Sequence, residues 1–184
     1  MKTITAAALA DLCEARREIQ NLVGRYSFDV LLKEEACIPE RHWSRREDNC
    51  LGINEGYYIG PAEISRYYEA CHERTRVFSE AVAKAFPEET EKQSDKEKFG
   101  VGTMDYKPLD TGVIEIAEDG QTAKGIWYCR GTEQCLSDRG FYANWTWGYL
   151  AADFVLEEDE WKIWHLNIGG YYVKENRMGS FGYL

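Results

Sequence analysis

Apolar residues recur at three- and four-residue steps over the first thirty positions. Leu9, Leu12, Ile19, Leu22, Val23, Tyr26 and Val30 mark one face of an amphipathic helix. Thr5 is placed to cap it, and Arg25 and Asp29 have the i,i+4 spacing of an ion pair. Residues 31–48 are charged and irregular, with room for a short helix at 39–43. Short strands at 50–54 and 57–59 flank Glu55-Gly56. Gly60-Pro61 opens a second long helix, because proline at the first helical position loses no hydrogen bond. Its buried stripe is Ile64, Tyr67, Tyr68, Cys71, Thr75, Phe78 and Val82, and Pro87 ends it. The mixed charges of 88–98 read as a solvated loop.

From Val101 the period falls to two. Residues 113–117, Asp119-Gly120 and 122–130 predict a hairpin with a type I′ turn, its register setting Glu115 opposite Lys124. Residues 141–156 and 161–168 predict a longer hairpin around 157–160. A two- or four-residue turn there pairs Leu156 with Trp161 and Ala152 with His165. His165 and Asn167 then share a face with Asn144, Thr146, Gly148 and Leu150, while Trp145, Trp147, Tyr149 and Trp164 point the other way. A three- or five-residue turn reverses the assignment. Helices first and long antiparallel strands afterwards give an α+β order. A curved sheet wrapped around the helices leaves a cavity at its concave face. One domain over 1–184 is expected, with 1–8 and 174–184 as terminal extensions. The tail 178–184 reads as a frayed end, with closure of the pocket or docking on a neighbouring subunit as its other uses.

Composition narrows the function. The 184 residues carry 22 Lys and Arg against 32 Asp and Glu, a net charge of −10 that disfavours nucleic-acid and anionic-membrane partners. No apolar run approaches the ~20 residues that cross a bilayer. The alanine-rich start runs unbroken into the helical pattern and reads as helix rather than a secretory leader. Six cysteines without metal or redox spacing read as free thiols of a cytoplasmic protein. Three histidines are too few for a multi-histidine metal site. Dinucleotide, phosphate-loop, nucleophile-elbow and zincin motifs are all missing from the sequence.

His165 has two readings, a general acid or base near neutral pH or a core histidine bound to a carbonyl. His42, between Arg41 and Trp43, and His72, on the polar side of its helix, read as surface residues. Tyr26 can reach a cavity and polarise a carbonyl or simply pack. Asp29, three residues on, faces the same opening or pairs with Arg25. Asp105 in its strand is a rim residue or a base.

Four segments resemble the SnoaL-like branch of the nuclear-transport-factor-2-like superfamily. They are Glu18-Ile19-Gln20-Asn21-Leu22-Val23-Gly24-Arg25-Tyr26, then Tyr58-Ile59-Gly60-Pro61-Ala62-Glu63-Ile64, then Gly112-Val113-Ile114-Glu115-Ile116 leading to Thr122-Ala123-Lys124-Gly125-Ile126-Trp127. The fourth runs from Trp145-Thr146-Trp147-Gly148-Tyr149 to Trp161-Lys162-Ile163-Trp164-His165. The resemblance covers nearly the whole chain. It implies a cone-shaped α+β barrel with a pocket at one end, usually dimeric and sometimes trimeric. It also implies cofactor-independent dehydration or isomerisation of a small, apolar, cyclic carbonyl compound, in which a base removes a proton beside a carbonyl and an acid stabilises the enolate. Family dehydratases carry an aspartate where Leu31 stands, and a histidine where this chain offers Asp105 and Lys107. His165 matches a histidine that follows W-K-I in one close subgroup, many of whose members carry a second histidine where Asn167 stands. On this reading His165, Asp105 and Tyr26 are the catalytic candidates. Asn144, Thr146, Asn167, Asp29, Trp43 and Tyr58 are the ligand-binding candidates, with no cofactor or metal. The alternative is a non-catalytic ligand-binding or dimerisation module.

Overall fold

The computed structural model describes residues 5–53, 56–94, 99–137 and 140–177. The tail 178–184 and part of the 88–98 charge run lie outside them. Helix α1 (Ala6–Leu31) starts where Thr5 accepts a hydrogen bond from the Ala8 amide, at 3.2 Å. Its stripe buries Ile19, Leu22, Val23 and Tyr26, while Leu9 stands exposed. A 3-10 turn (Glu35–Cys37) and α2 (Ile38–His42) follow, then α3 (Pro61–Ala85) and a single turn, α4 (Pro87–Thr90), within the expected loop. Gly60 precedes Pro61 at φ 85°, the positive value that glycine adopts without a Cβ clash.

Seven strands make one mixed sheet: β1 (Cys50–Ile53), β2 (Gly56–Ile59), β3 (Thr103–Tyr106), β4 (Leu109–Ile116), β5 (Thr122–Ser137), β6 (Gly140–Glu157) and β7 (Glu160–Arg177). The order is β2-β1-β7-β6-β5-β3, with β4 also on β5; β1 pairs with β7 in parallel, and the other strand pairs named here are antiparallel. Helices α1 to α3 cover one face. Against them pack Leu51, Trp127, Leu150, Phe154, Ile163 and Leu166, each at most 2% exposed. This is the α+β architecture that the element order predicts. Helix α1 starts at Ala6, directly after the expected Thr5 cap, while β7 runs to Arg177, past the expected end at 168.

Both hairpins form. Glu115 faces Lys124, their charges 3.0 Å apart. The turn at Gly120 differs from a type I′ turn, because Gly120 has φ 68° while Asp119 stays at negative φ and accepts from the Gln121 amide. The two-residue turn with both residues at positive φ is instead Glu158-Asp159, at 51° and 64°. It pairs Leu156 with Trp161, as the parity argument requires.

The register then departs from prediction. Phe154 pairs with Ile163 but Asp153 pairs with His165, so β7 holds one additional residue, Trp164. Such a bulge shifts every later side chain by one position and so to the other face. His165 and Asn167 therefore join Asp153 and Ala151 on the outer face, away from the helices. Asn144 and Thr146 stay on the helix side, where β5 pairs regularly with β6. Both Ile163 and Leu166 become buried, which an unbroken strand cannot achieve at that spacing. The bulged rings are held in place: Trp164 stacks on His165 at 4.3 Å, lies under the Arg46 guanidinium and donates to Asp48.

Candidate active site

The helix side of the sheet carries a row of polar side chains. Asp105 on β3 pairs with Glu133 on β5, which pairs with Asn144 on β6, so the three stand side by side on one face. Thr146, 1% exposed, lies two positions further along β6. Lys107 binds the Glu133 carboxylate, and its Nζ lies 3.1 Å from Asp105 Oδ1. Among the described residues, Asn144 Oδ1 and Thr146 Oγ1 are buried without a hydrogen bond, whereas Asp105 Oδ1 has the Lys107 ammonium as its partner. Each such group costs about 1–3 kcal/mol when left unmet.

Tyrosines of the helices pack together on the same side of the sheet. Tyr68 on α3 donates to the Tyr26 hydroxyl on α1 at 3.2 Å, which leaves one of the pair's two protons to donate elsewhere. Tyr67 packs between Tyr68 and Tyr58, with ring centroids 5.2 and 4.8 Å away. Burial pushes the pKa of Tyr26, Tyr67 and Tyr68 far up, so all three are neutral donors rather than bases. Burial works against the charge of Lys107, but Asp105 and Glu133 outweigh it and raise its pKa, so it stays an ammonium. The Asp105 charge also reaches Tyr26 and Cys71. His72 stacks on Phe99 at 4.5 Å, its Nδ1 buried without a hydrogen-bond partner among the described residues. Its half-buried place corrects the surface reading.

His42 is a second correction. It is 3% exposed, packed edge-on against Tyr26, with Nε2 2.7 Å from Asp29 Oδ2. Helix α2 lays this ring between α1 and the core, which local charge around 41–43 conceals. Asp29 accordingly binds His42 and Arg41 rather than Arg25. Burial lowers the His42 pKa, with Asp29 pulling the other way. A histidine whose folded pKa is depressed gives stability that is complete above its unfolded value, about 6.5, and lost as pH falls through the folded value. Urea midpoints measured from neutrality down to pH 5 are expected to fall more in the native protein than in His42→Gln. Equal slopes overturn this account.

The sequence-derived candidates thus divide among three places. Tyr26, Asp105, Asn144 and Thr146 face the interior, with Asp29 reaching Tyr26 through His42 and Tyr58 through Tyr67. Trp43 is buried beside a cavity of about 870 Å³ near the β6–β7 turn, lined also by Asn49, Ile64 and Lys162. His165 and Asn167 line an outer groove of about 680 Å³ with Cys50, Tyr57, Ile126 and Ala151. There His165 Nδ1 lies 2.9 Å from Asp153, and Nε2 lies 3.2 Å from the Asp48 carbonyl. Buried Tyr68 and Glu35, and Glu133 with its side chain 42% exposed, were not singled out as chemistry by the sequence. For Tyr68 the signal was its place on the α3 stripe. Among the described residues, no cluster of three histidine, cysteine or acidic side chains is arranged to hold a metal, and no helix is long and apolar enough to cross a membrane.

No protein-family model and no curated protein matches the sequence. Solved structures do match the fold. A putative scytalone dehydratase from Novosphingobium aromaticivorans superposes with a TM-score of 0.63 at 9% identity, covering 92% of each chain. A hexachlorocyclohexane dehydrochlorinase, LinA type 2, gives 0.62 at 15% identity, over 92% of this chain and 93% of that one. An NTF2-like protein with a cystatin-like fold from N. aromaticivorans gives 0.56 at 15% identity, over 91% and 90%.

Proposed function

We propose that this chain, which has the nuclear-transport-factor-2-like, cystatin-like fold, is a cofactor-independent lyase or isomerase. Its substrate is a small, apolar, cyclic carbonyl compound held between the helices and the inner sheet face. The observation that carries the reading is the row Asp105, Asn144 and Thr146 on one face, in which Asn144 Oδ1 and Thr146 Oγ1 are buried without a hydrogen bond among the described residues and Asp105 Oδ1 meets the Lys107 ammonium. A ligand with polar substituents on an apolar ring satisfies such a row. Asp105 takes the proton beside the carbonyl. The Tyr26–Tyr68 pair donates to the carbonyl oxygen as it becomes an enolate, where fixed donors act most strongly. Asn144 and Thr146 hold substituents, and Lys107 positions Asp105. The dehydratase and dehydrochlorinase among the similar structures, both named for eliminations, agree with this class.

The test is turnover of a bicyclic β-hydroxy ketone whose dehydration yields a fluorescent naphthol. Tyr26→Phe is expected to lower the rate by roughly a hundredfold, while His165→Ala on the outer face changes little. Loss of rate in His165→Ala with Tyr26→Phe intact overturns the site. Saturable binding without turnover favours the non-catalytic module.

The homodimer is part of the same reading. Tyr57, Ile59, Ile126, Tyr128, Trp145 and Trp147 are all at least 45% exposed on the outer face. An apolar surface of this kind marks a partner site, and a second copy of the chain is the expected partner. Light scattering is expected to give twice the 21.2 kDa chain mass. A monomer mass overturns the pairing.

A further inference from the structure

We infer that two copies of the chain dock ridge into groove, the Trp145–Trp147 ridge of each seated in the other's outer groove about a two-fold axis at Tyr149. The inference rests on the homodimer part of the reading above and adds which residues meet. Strand β6 pairs with β5 without a break, so its outer positions run regularly as Trp145, Trp147, Tyr149, Ala151 and Asp153. The two sides of Tyr149 differ in bulk. On one side Trp145 and Trp147 are 47% and 45% exposed, and their rings stack at 6.4 Å. On the other side Ala151 lines the groove, with Asn167 on β7 and Gly52 on β1 next to it in the same row. Ile126 and Tyr57 bound this low row on β5 and β2.

A two-fold axis normal to the sheet at Tyr149 exchanges positions equally far from it along β6. Trp147 then faces the partner's Ala151, and Trp145 faces the partner's Asp153. Large side chains meet small ones at both symmetry-related places. Tyr149 leaves the axis open, because it leans onto β7 at a position with no side chain: a Cβ on Gly169 would lie 3.0 Å from its hydroxyl. Asp153 is bound to His165 at 2.9 Å, so an indole arriving there meets no bare carboxylate. Glu115 with Lys124 and Asp110 with Arg130 are closed in the same way, at 3.0 and 2.9 Å. A chain with a net charge of −10 can therefore meet its copy across these ion-paired rows.

The area is sufficient. Tyr128, Trp145, Trp147 and Tyr149 have about half of their surface open, which from two copies makes roughly 600–1,000 Å². The grooves that receive them lose a similar area, and the sum reaches the ~1,200–2,000 Å² of a stable interface.

Exchanging the sizes tests the arrangement. Ala151→Trp sets indole against indole, and Trp147→Ala leaves the groove unfilled. Each variant alone is expected to self-associate at least about thirtyfold more weakly in sedimentation, the loss of a central aromatic anchor. Mixed in equal amounts, the two are expected to form heterodimers of near-native affinity, identified by native mass spectrometry, because every contact again sets one tryptophan against one alanine. Circular dichroism checks folding, and Ala151→Leu is the smaller block to use where the tryptophan variant does not fold. If the native protein is dimeric and the mixture associates no better than either variant, this arrangement falls and the homodimer stands. Undiminished dimers in both variants place the contact on another face and overturn it equally. A native protein that stays monomeric overturns the homodimer reading, and this inference with it.

Discussion

Asparagine in place of Asp105 is expected to reduce turnover by at least about a hundredfold, the lower range of what a positioned base contributes. The substitution keeps the side chain's shape and one oxygen but removes the lone-pair charge that takes the proton. The confounding effect is electrostatic, because Lys107 loses one of its two carboxylate neighbours. Glu133→Gln removes the other and leaves Asp105 in place, so it measures that effect by itself. If Asp105 is the base, Asp105→Asn is nearly inactive and Glu133→Gln retains most of its rate, with both folded by circular dichroism. Equal losses in the two variants would instead make the Lys107 cluster a structural element and remove Asp105 from the chemistry.

Trp127→Ala is the substitution with the largest expected effect on stability. The indole is 1% exposed, meets Phe154 edge-on at 6.1 Å, and donates from Nε1 to Gln20 Oε1 on α1 at 3.2 Å. It occupies space left by two glycines. A Cβ on Gly112 would come within 2.2 Å of the ring nitrogen, and one on Gly125 within 2.4 Å of the far end of the ring. With no side chains at those positions to fall inward, the cavity left by alanine cannot collapse. A loss of about 3–5 kcal/mol follows, a fall in Tm of roughly 6–20 °C for a chain of this length. Calorimetry checks it, and a fall of only a degree or two would show that the sheet closes over the gap. Because Gln20 also loses its donor, α1 is expected to loosen first, which brings Tyr26 into the same experiment.

Local signals were enough for the elements. Thr5 as cap, Gly60-Pro61 as a helix start and Pro87 as a stop act through their own backbones, and the structure has each of them. The Glu115–Lys124 register was likewise legible, because alternation and a short turn fix which residues face each other. The site was legible only in part. Tyr26, Asp105, Asn144 and Thr146 stand on the inner side, but His42 and His72 were hidden by charged neighbours whose spacing says nothing about what packs over them. His165 was misplaced by a single residue. The clue lay in the apolar positions Trp161, Ile163, Leu166 and Ile168, whose three-residue gap breaks the period of two and signals a bulge.

The sequence by itself determined the α+β order, the two helical stripes, both hairpins and the identity of the polar residues available for chemistry. These depend on periodicity and turn preference, which act over a few residues. Only the tertiary structure decided which polar groups meet. The bulge at Trp164 sends His165 to the outer face, the parallel pairing of β1 with β7 brings Cys50 beside it, and the 3-10 turn buries Glu35. One inserted residue inverts a strand's faces, and contacts between residues a hundred positions apart are set by how whole elements pack.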